Sequence, residues 1–234
     1  MAKPPEQPAL QAPADAKAHR PWFIACAALL VAGLAATALA MLADRYALMH
    51  WRDIDRSAEI KDWYKALRVL GYAPVWLVIA VALMLIDSGR KLTDRPGSAM
   101  ATLTRGPFVI ASAALGGGIA ELLKILIGRG RPPAIVTDST PLYTWPDWAM
   151  RTLNTSDLGL PSSHASTAFG GMVALAILFP RAGVVFIACA IGTGITRVLS
   201  GNHFLSDAIA GAFVGAIMPV LITALVRRKR GGTR

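Results

Sequence analysis

Six apolar runs, each near the length of a membrane crossing, limit what this chain can fold into. They are Trp22–Leu42, Val69–Ile86, Phe108–Ile127, Ala165–Phe179, Ala182–Leu199 and Phe204–Val226. Runs of about 18 or more apolar residues read as membrane spans. Lipid offers the backbone no hydrogen-bond partner, so an internally bonded helix is the natural way across. The expected fold is therefore an all-α polytopic membrane protein, with six transmembrane helices in a bundle. Composition agrees: of 234 residues, 54% are hydrophobic and only 16% charged, where soluble domains carry roughly a quarter. The formal net charge of +10 belongs with cationic loops and tails on one side of a membrane, and no nucleic-acid partner is expected. Cys26 and Cys189 fall inside apolar runs and read as small buried hydrophobes.

Residues 1–21 are rich in proline and alanine with scattered charge, a composition that cannot bury a core, and read as a disordered tail. The body of the protein is then 22–226, and the strongly basic 227–234 forms a second tail. Ala38-Leu-Ala40 looks like a signal-peptidase site, but the run around it is longer than a signal core of ~7–15 residues, so a retained first span is expected. Between spans one and two, Asp44–Arg68 mixes charges with Trp51, Ile54, Ile60, Trp63, Tyr64 and Leu67 at about helical spacing. Such a segment suits an interfacial helix at headgroup level, with a packed extramembrane helix as the plain alternative. With both termini in the cytoplasm, the basic segment 87–106, Arg181 and the basic tail all face inward, as the positive-inside rule prefers. The opposite face then receives the end of span three, the start of span four and the junction of spans five and six. Asn154-Thr-Ser156 matches a glycosylation sequon, a triplet common by chance.

Three polar clusters lie at those span ends. In the first, Lys124 stands seven positions before Arg131, which puts them on different faces of a continuous helix. Gly128, Gly130 and Pro132 predict instead that the helix ends and the chain turns back, letting both cations meet one anion. Lysine supplies a mobile point charge and arginine a planar fork, a division suited to phosphate. Glu121, three residues earlier, is placed to hold Lys124. The second cluster, Pro161-Ser162-Ser163-His164, reads as a helix start with Ser162 as N-cap; its free amides and dipole favour an anion. His164 in the first turn is positioned to protonate a leaving oxygen. In the third, Arg197 closes span five, Gly201-Asn202 turns, and His203 opens span six. Asp207, four residues on, shares a helical face with His203 and can fix its tautomer, leaving the other ring nitrogen to attack.

The spacings K-x6-R-P, P-S-S-H and R-x5-H-x3-D together resemble the three-part signature of the type 2 phosphatidic acid phosphatase superfamily. That group includes lipid phosphate phosphatases, glucose-6-phosphatase and the vanadium-dependent haloperoxidases. The resemblance implies a metal-independent, two-step phosphatase without a cofactor. It would make His203 the nucleophile that forms a phosphohistidine, Asp207 its orienting carboxylate and His164 the general acid. Lys124, Arg131, Arg197, Ser162 and Ser163 would bind the phosphoryl oxygens. Ser163 stands where glycine is usual in that signature, and Thr196 precedes Arg197 where serine is frequent. A site at the span ends suits a membrane lipid with a phosphate headgroup, such as undecaprenyl diphosphate, lipid A phosphate, phosphatidylglycerol phosphate or phosphatidic acid, at the outer face of a bacterial inner membrane. The same residues would also serve a lipid-to-lipid phosphotransferase. An ion-coupled transporter fits less well, because the charges gather at one face and do not line a route across.

Overall fold

A computed structural model of the chain describes residues 20–53, 57–90, 105–146 and 155–231. The elements are α1 (Arg20–His50), α2 (Asp62–Val69), α3 (Ala73–Arg90), α4 (Arg105–Ile127), α5 (Ser163–Leu178), a 3-10 turn at Pro180–Ala182, α6 (Gly183–Leu199) and α7 (Leu205–Gly231). No strand occurs among the described residues; Gly130 and Leu158 form an isolated antiparallel bridge. Residues 91–104, most of the basic segment 87–106, and the sequon's Asn154 lie outside the described residues.

Four helical segments are long and apolar enough to cross a membrane: Pro21–His50, Arg105–Ile127, Pro180–Leu199 and Leu205–Arg228. The outward faces are what lipid requires, with Val31, Leu34, Leu39 and Leu42 of α1 and Val184 and Val185 of α6 all more than half exposed. α2 and α3 pass the same test only as a pair and meet at a bend of 74°. The bend is held from inside: Trp76 is fully buried, and its indole N–H donates to the Leu70 carbonyl at 2.8 Å. With 16 residues, α5 is about 24 Å long at ~1.5 Å per residue, short of a hydrocarbon core of ~30 Å. It is encased by α4, α6 and α7, so its length is not matched against lipid.

The small residues of α5 and α7 explain how it is encased. Gly211 and Gly215 sit one turn apart on α7, and a Cβ at either would collide with the carbonyl of Ser162 or Ser166. Ser166 Oγ meanwhile donates to the Gly116 carbonyl of α4 at 2.7 Å. Where lipid supplies no hydrophobic drive between helices, such close backbone approach and inter-helix hydrogen bonding supply the attraction.

α1 differs from the sequence expectation. It does not stop near Leu42 but continues to His50, and Asp44 is fully buried there. The interfacial helix expected over Asp44–Arg68 is therefore not one element: its first part belongs to α1, and its last part is the eight-residue α2. The physical reason is that Asp44 has partners, Tyr143 Oη and the N–H of Ser206, so the helix need not break before it. α2 packs across α6, with Tyr64 Oη donating to the Thr196 carbonyl at 3.0 Å and Thr193 Oγ1 to that of Leu67 at 2.8 Å. α1 and α7 run antiparallel, with contacts at Asp44–Ser206, Gly33–Phe213 and Trp22–Arg227. α1 begins at Arg20, and α7 carries its helix through Arg227 and Arg228 to Gly231.

Candidate active site

The end of α4, the starts of α5 and α7, the end of α6 and the second half of α1 meet at one end of the bundle. At the first cluster, α4 ends at Ile127 and Gly128 adopts φ 70°, a left-handed turn that a side chain would oppose. The returning segment is stitched on both sides. Gly130 N–H donates to the Thr144 carbonyl, Arg131 N–H to that of Asp157, and Gly159 N–H to that of Arg129. Lys124 is buried, and its ammonium donates to Glu121 Oε1 at 2.9 Å and to Ser163 Oγ at 3.0 Å. The pairing with Glu121 matches expectation. The bond to Ser163 gives that unusual serine a role, joining the first cluster to the second. Arg131 is half-buried and lies within Coulombic reach of both Lys124 and Arg197.

Ser162 is the N-cap of α5, its hydroxyl accepting from the Ala165 N–H, and its own N–H donates to the Asp207 carbonyl at 2.9 Å. The second cluster thereby rests on the third. His164 faces the turn between α2 and α3: its ring meets Tyr72 edge-on at 4.7 Å, and a Cβ on Gly71 would come within 2.8 Å of its Cδ2. It lies within Coulombic reach of Arg197, His203, Lys124 and Arg68.

His203 and Asp207 are both buried, with His203 Nδ1 3.4 Å from Asp207 Oδ2. The pairing was expected from a shared helical face, but the geometry differs. α7 starts at Leu205, so His203 lies in the turn before it, and the carboxylate folds back over the helix start to accept the Phe204 N–H at 2.9 Å. Asp207 thus acts as a capping acceptor and imidazole partner together. Burial holds the His203 imidazole below the ordinary histidine range, with the Arg197 and Lys124 charges pushing the same way and Asp207 opposing them. His203 is accordingly neutral near pH 7. Arg197, 5% exposed, ends α6 beside it, and the His203 N–H donates to the Arg197 carbonyl at 3.3 Å.

Buried polar groups in proteins nearly always have partners. Here Arg197 Nε and Nη1 and His164 Nε2 are buried without one among the described residues. Donors left in this arrangement, beside a neutral imidazole, are suited to an oxyanion. A tetrahedral phosphate supplies acceptors in several directions at once.

Three residues absent from the expected set complete the surroundings. Arg129 is fully buried, donates to Ser206 Oγ at 2.7 Å and to Asp207 Oδ1, and lies 5.0 Å from the ring centroids of both Tyr143 and Phe204. Asp44 of α1 accepts from the Ser206 N–H and from Tyr143 Oη, each at 2.9 Å. Burial, reinforced by Asp44, pushes the Tyr143 phenol up, so it stays protonated and donates. Arg68 of α2 lies within Coulombic reach of His164 and Arg197. For Arg129 a signal existed, since a charged residue next to two glycines at a span end is costly unless paired. Nothing local marked Asp44 or Arg68.

A sequence model of the PAP2 superfamily matches residues 107–231, just over half of the chain and all three clusters. The lipid A 1-phosphatase of Rhizobium etli is 32% identical over 183 residues, covering 76% of this chain and 75% of that protein. The lipid A 1-phosphatase of Rhizobium johnstonii is 35% identical over 161 residues, covering 67% of this chain and 64% of its own. In fold, the chain resembles the crystal structure of a transmembrane PAP2-type phosphatidylglycerolphosphate phosphatase from Bacillus subtilis. The TM-score is 0.61 at 19% identity, over 87% of this chain and 96% of that one. The chain belongs to the PAP2 superfamily and is a multi-pass membrane phosphatase.

Proposed function

We propose that this phosphatase hydrolyses a lipid phosphate or diphosphate whose headgroup lies at the outer face of a bacterial inner membrane. Lipid A 1-phosphate leads the candidates, by likeness to the two Rhizobium relatives. In this reading the bent pair α2–α3 and the enclosed α5 complete six crossings, and both termini lie in the cytoplasm. The stacking of Arg227 on Trp22, 5.0 Å from its centroid, supports placing the two ends on one side. The observation that carries the proposal is the convergence of buried, unpartnered donors on Arg197 and His164 around the neutral His203.

The chemistry follows from the geometry. Asp207 holds His203 through Nδ1, so Nε2 carries the lone pair and attacks phosphorus in line with the lipid oxygen. As the N–P bond forms and the P–O bond breaks, the electron pair leaves on that oxygen, which takes a proton from His164 Nε2. Lys124, Arg131 and Arg197, with Ser162, Ser163 and the amides opening α5, stabilise the charge spread over the equatorial oxygens. Bound phosphate places negative charge beside His164, as a proton donor there requires. In the second step His164 takes a proton from water, the water oxygen attacks phosphorus, and the N–P bond breaks to return His203 and inorganic phosphate.

The test is phosphate release by the purified protein in detergent, across a panel of lipid phosphates, with chelator present. Release is expected without added metal, and His203→Ala removes it while the protein still folds. Activity that vanishes on chelation and returns with magnesium, or a His203→Ala variant keeping a tenth of the rate, would overturn the reading.

A further inference from the structure

Resting on that reading, we infer that Arg68 forms a second anion subsite, which engages a further phosphoryl group on the headgroup beside the one that is removed. Charge bookkeeping in the cluster leads to it. Lys124 is neutralised by Glu121 at 2.9 Å, and Arg129 by Asp207. Asp44 lies behind Arg129, its oxygens taken by Ser206 and Tyr143. Among the described residues, Arg131 and Arg197 have no carboxylate in ion-pair range, so together they bring two positive charges to the reacting phosphate. That matches a phosphate monoester, which carries about −1.5 to −2 at pH 7. Arg68 is one positive charge in excess, and it too has no ion-pair partner among the described residues.

Its position is built, not incidental. Arg68 occupies the last turn of α2, and Gly71 N–H donates to its carbonyl at 3.1 Å. The following residues, Gly71 and Tyr72, are seated against the His164 ring. The Trp76 bond to Leu70 fixes the bend just beyond, and Tyr64 and Leu67 fasten α2 to α6. Arg68 Nε is consequently buried without a partner, within Coulombic reach of both Arg197 and His164, the group assigned to protonate the leaving oxygen. A group joined to the leaving oxygen would meet Arg68 next. A diphosphate ester places its second phosphoryl there, and a headgroup with a second phosphate at another position is the other source of the same charge.

The experiment compares Arg68→Gln with the parent enzyme on three lipids: a monophosphate, the diphosphate with the same tail, and a disaccharide lipid with two separate phosphates. Loss of one charge-assisted hydrogen bond is expected to lower kcat/KM about 10- to 100-fold, mainly through KM, on at least one doubly phosphorylated lipid. The monophosphate changes less than about threefold, and Arg68→Lys recovers part of the loss. Which of the two affected lipids responds identifies the source. Equal loss on all three, or no loss on any, overturns the subsite. Equilibrium binding of inorganic diphosphate and inorganic phosphate reads it without turnover. Arg68→Gln should weaken only the diphosphate, a result that stands even if the lipid assigned above is wrong; equal weakening of both ions again overturns it.

Discussion

Arg129 offers the sharpest test of how the site is held. Replacing it with methionine keeps much of the side-chain length but removes the guanidinium that faces Asp207 and Ser206. Asp207 is fully buried and would keep only the Phe204 N–H and the 3.4 Å approach of His203. Removing one partner of a buried ion pair costs about 3–5 kcal/mol, because the remaining charge is left uncompensated. For a chain of this size each kcal/mol shifts the midpoint by roughly 2–4 °C, so Arg129→Met should lower Tm by on the order of 10 °C. Thermal unfolding in detergent measures it. Asp207→Asn alone should be costly as well, since it strands Arg129. The double variant, with both charges gone, should recover much of the Tm while remaining inactive. A single Arg129→Met variant within 2 °C of the parent (roughly one kcal/mol or less), or a double variant no more stable than either single, would refute the claim that Arg129 neutralises the buried Asp207 carboxylate.

Two further outcomes follow from the site. Because burial depresses the His203 pKa and protonation removes the attacking lone pair, the acid limb of kcat/KM should lie below the ordinary imidazole value of ~6.5; a limb at or above neutrality in the pH profile counts against His203 as nucleophile. Gly71→Ala would put a methyl 2.8 Å from His164 Cδ2 and 2.9 Å from its Cβ, displacing the ring and lowering kcat by about 10²-fold with little change in KM, and steady-state kinetics showing an unchanged kcat would mean His164 is not the proton donor.

The parts legible in the sequence are those whose physics is local. Ser162 as a cap, the turn at Gly128 and the His203–Asp207 pair each depend on residues a few positions apart, and each appears where spacing placed it. Even there the helix start was off by two residues, because Asp207 caps the helix from within while His203 stays outside it. The less legible parts are set by distant partners. Asp44 reads as an ordinary charge ending an apolar run until Ser206 arrives to meet it, 162 residues later. Arg129 and Ser206 are 77 apart. Arg68 sat in a segment whose charges looked like those of any headgroup-level helix, and only the bend stabilised by Trp76 turns it toward His164.

The descent of α1 past Leu42 has a consequence for how the enzyme is made. Asp44 clasps the Ser206 amide in the first turn of the helix bearing Asp207, and Arg45 and Arg52 staple the excursion after Pro132 through the carbonyls of Thr137, Thr140, Pro133 and Ala134. The second half of the amino-terminal helix is thus a buttress of the three converging clusters. Severing the chain after Ala40 would leave those clasps on a loose end and loosen, from 162 residues away, the helix start that follows His203.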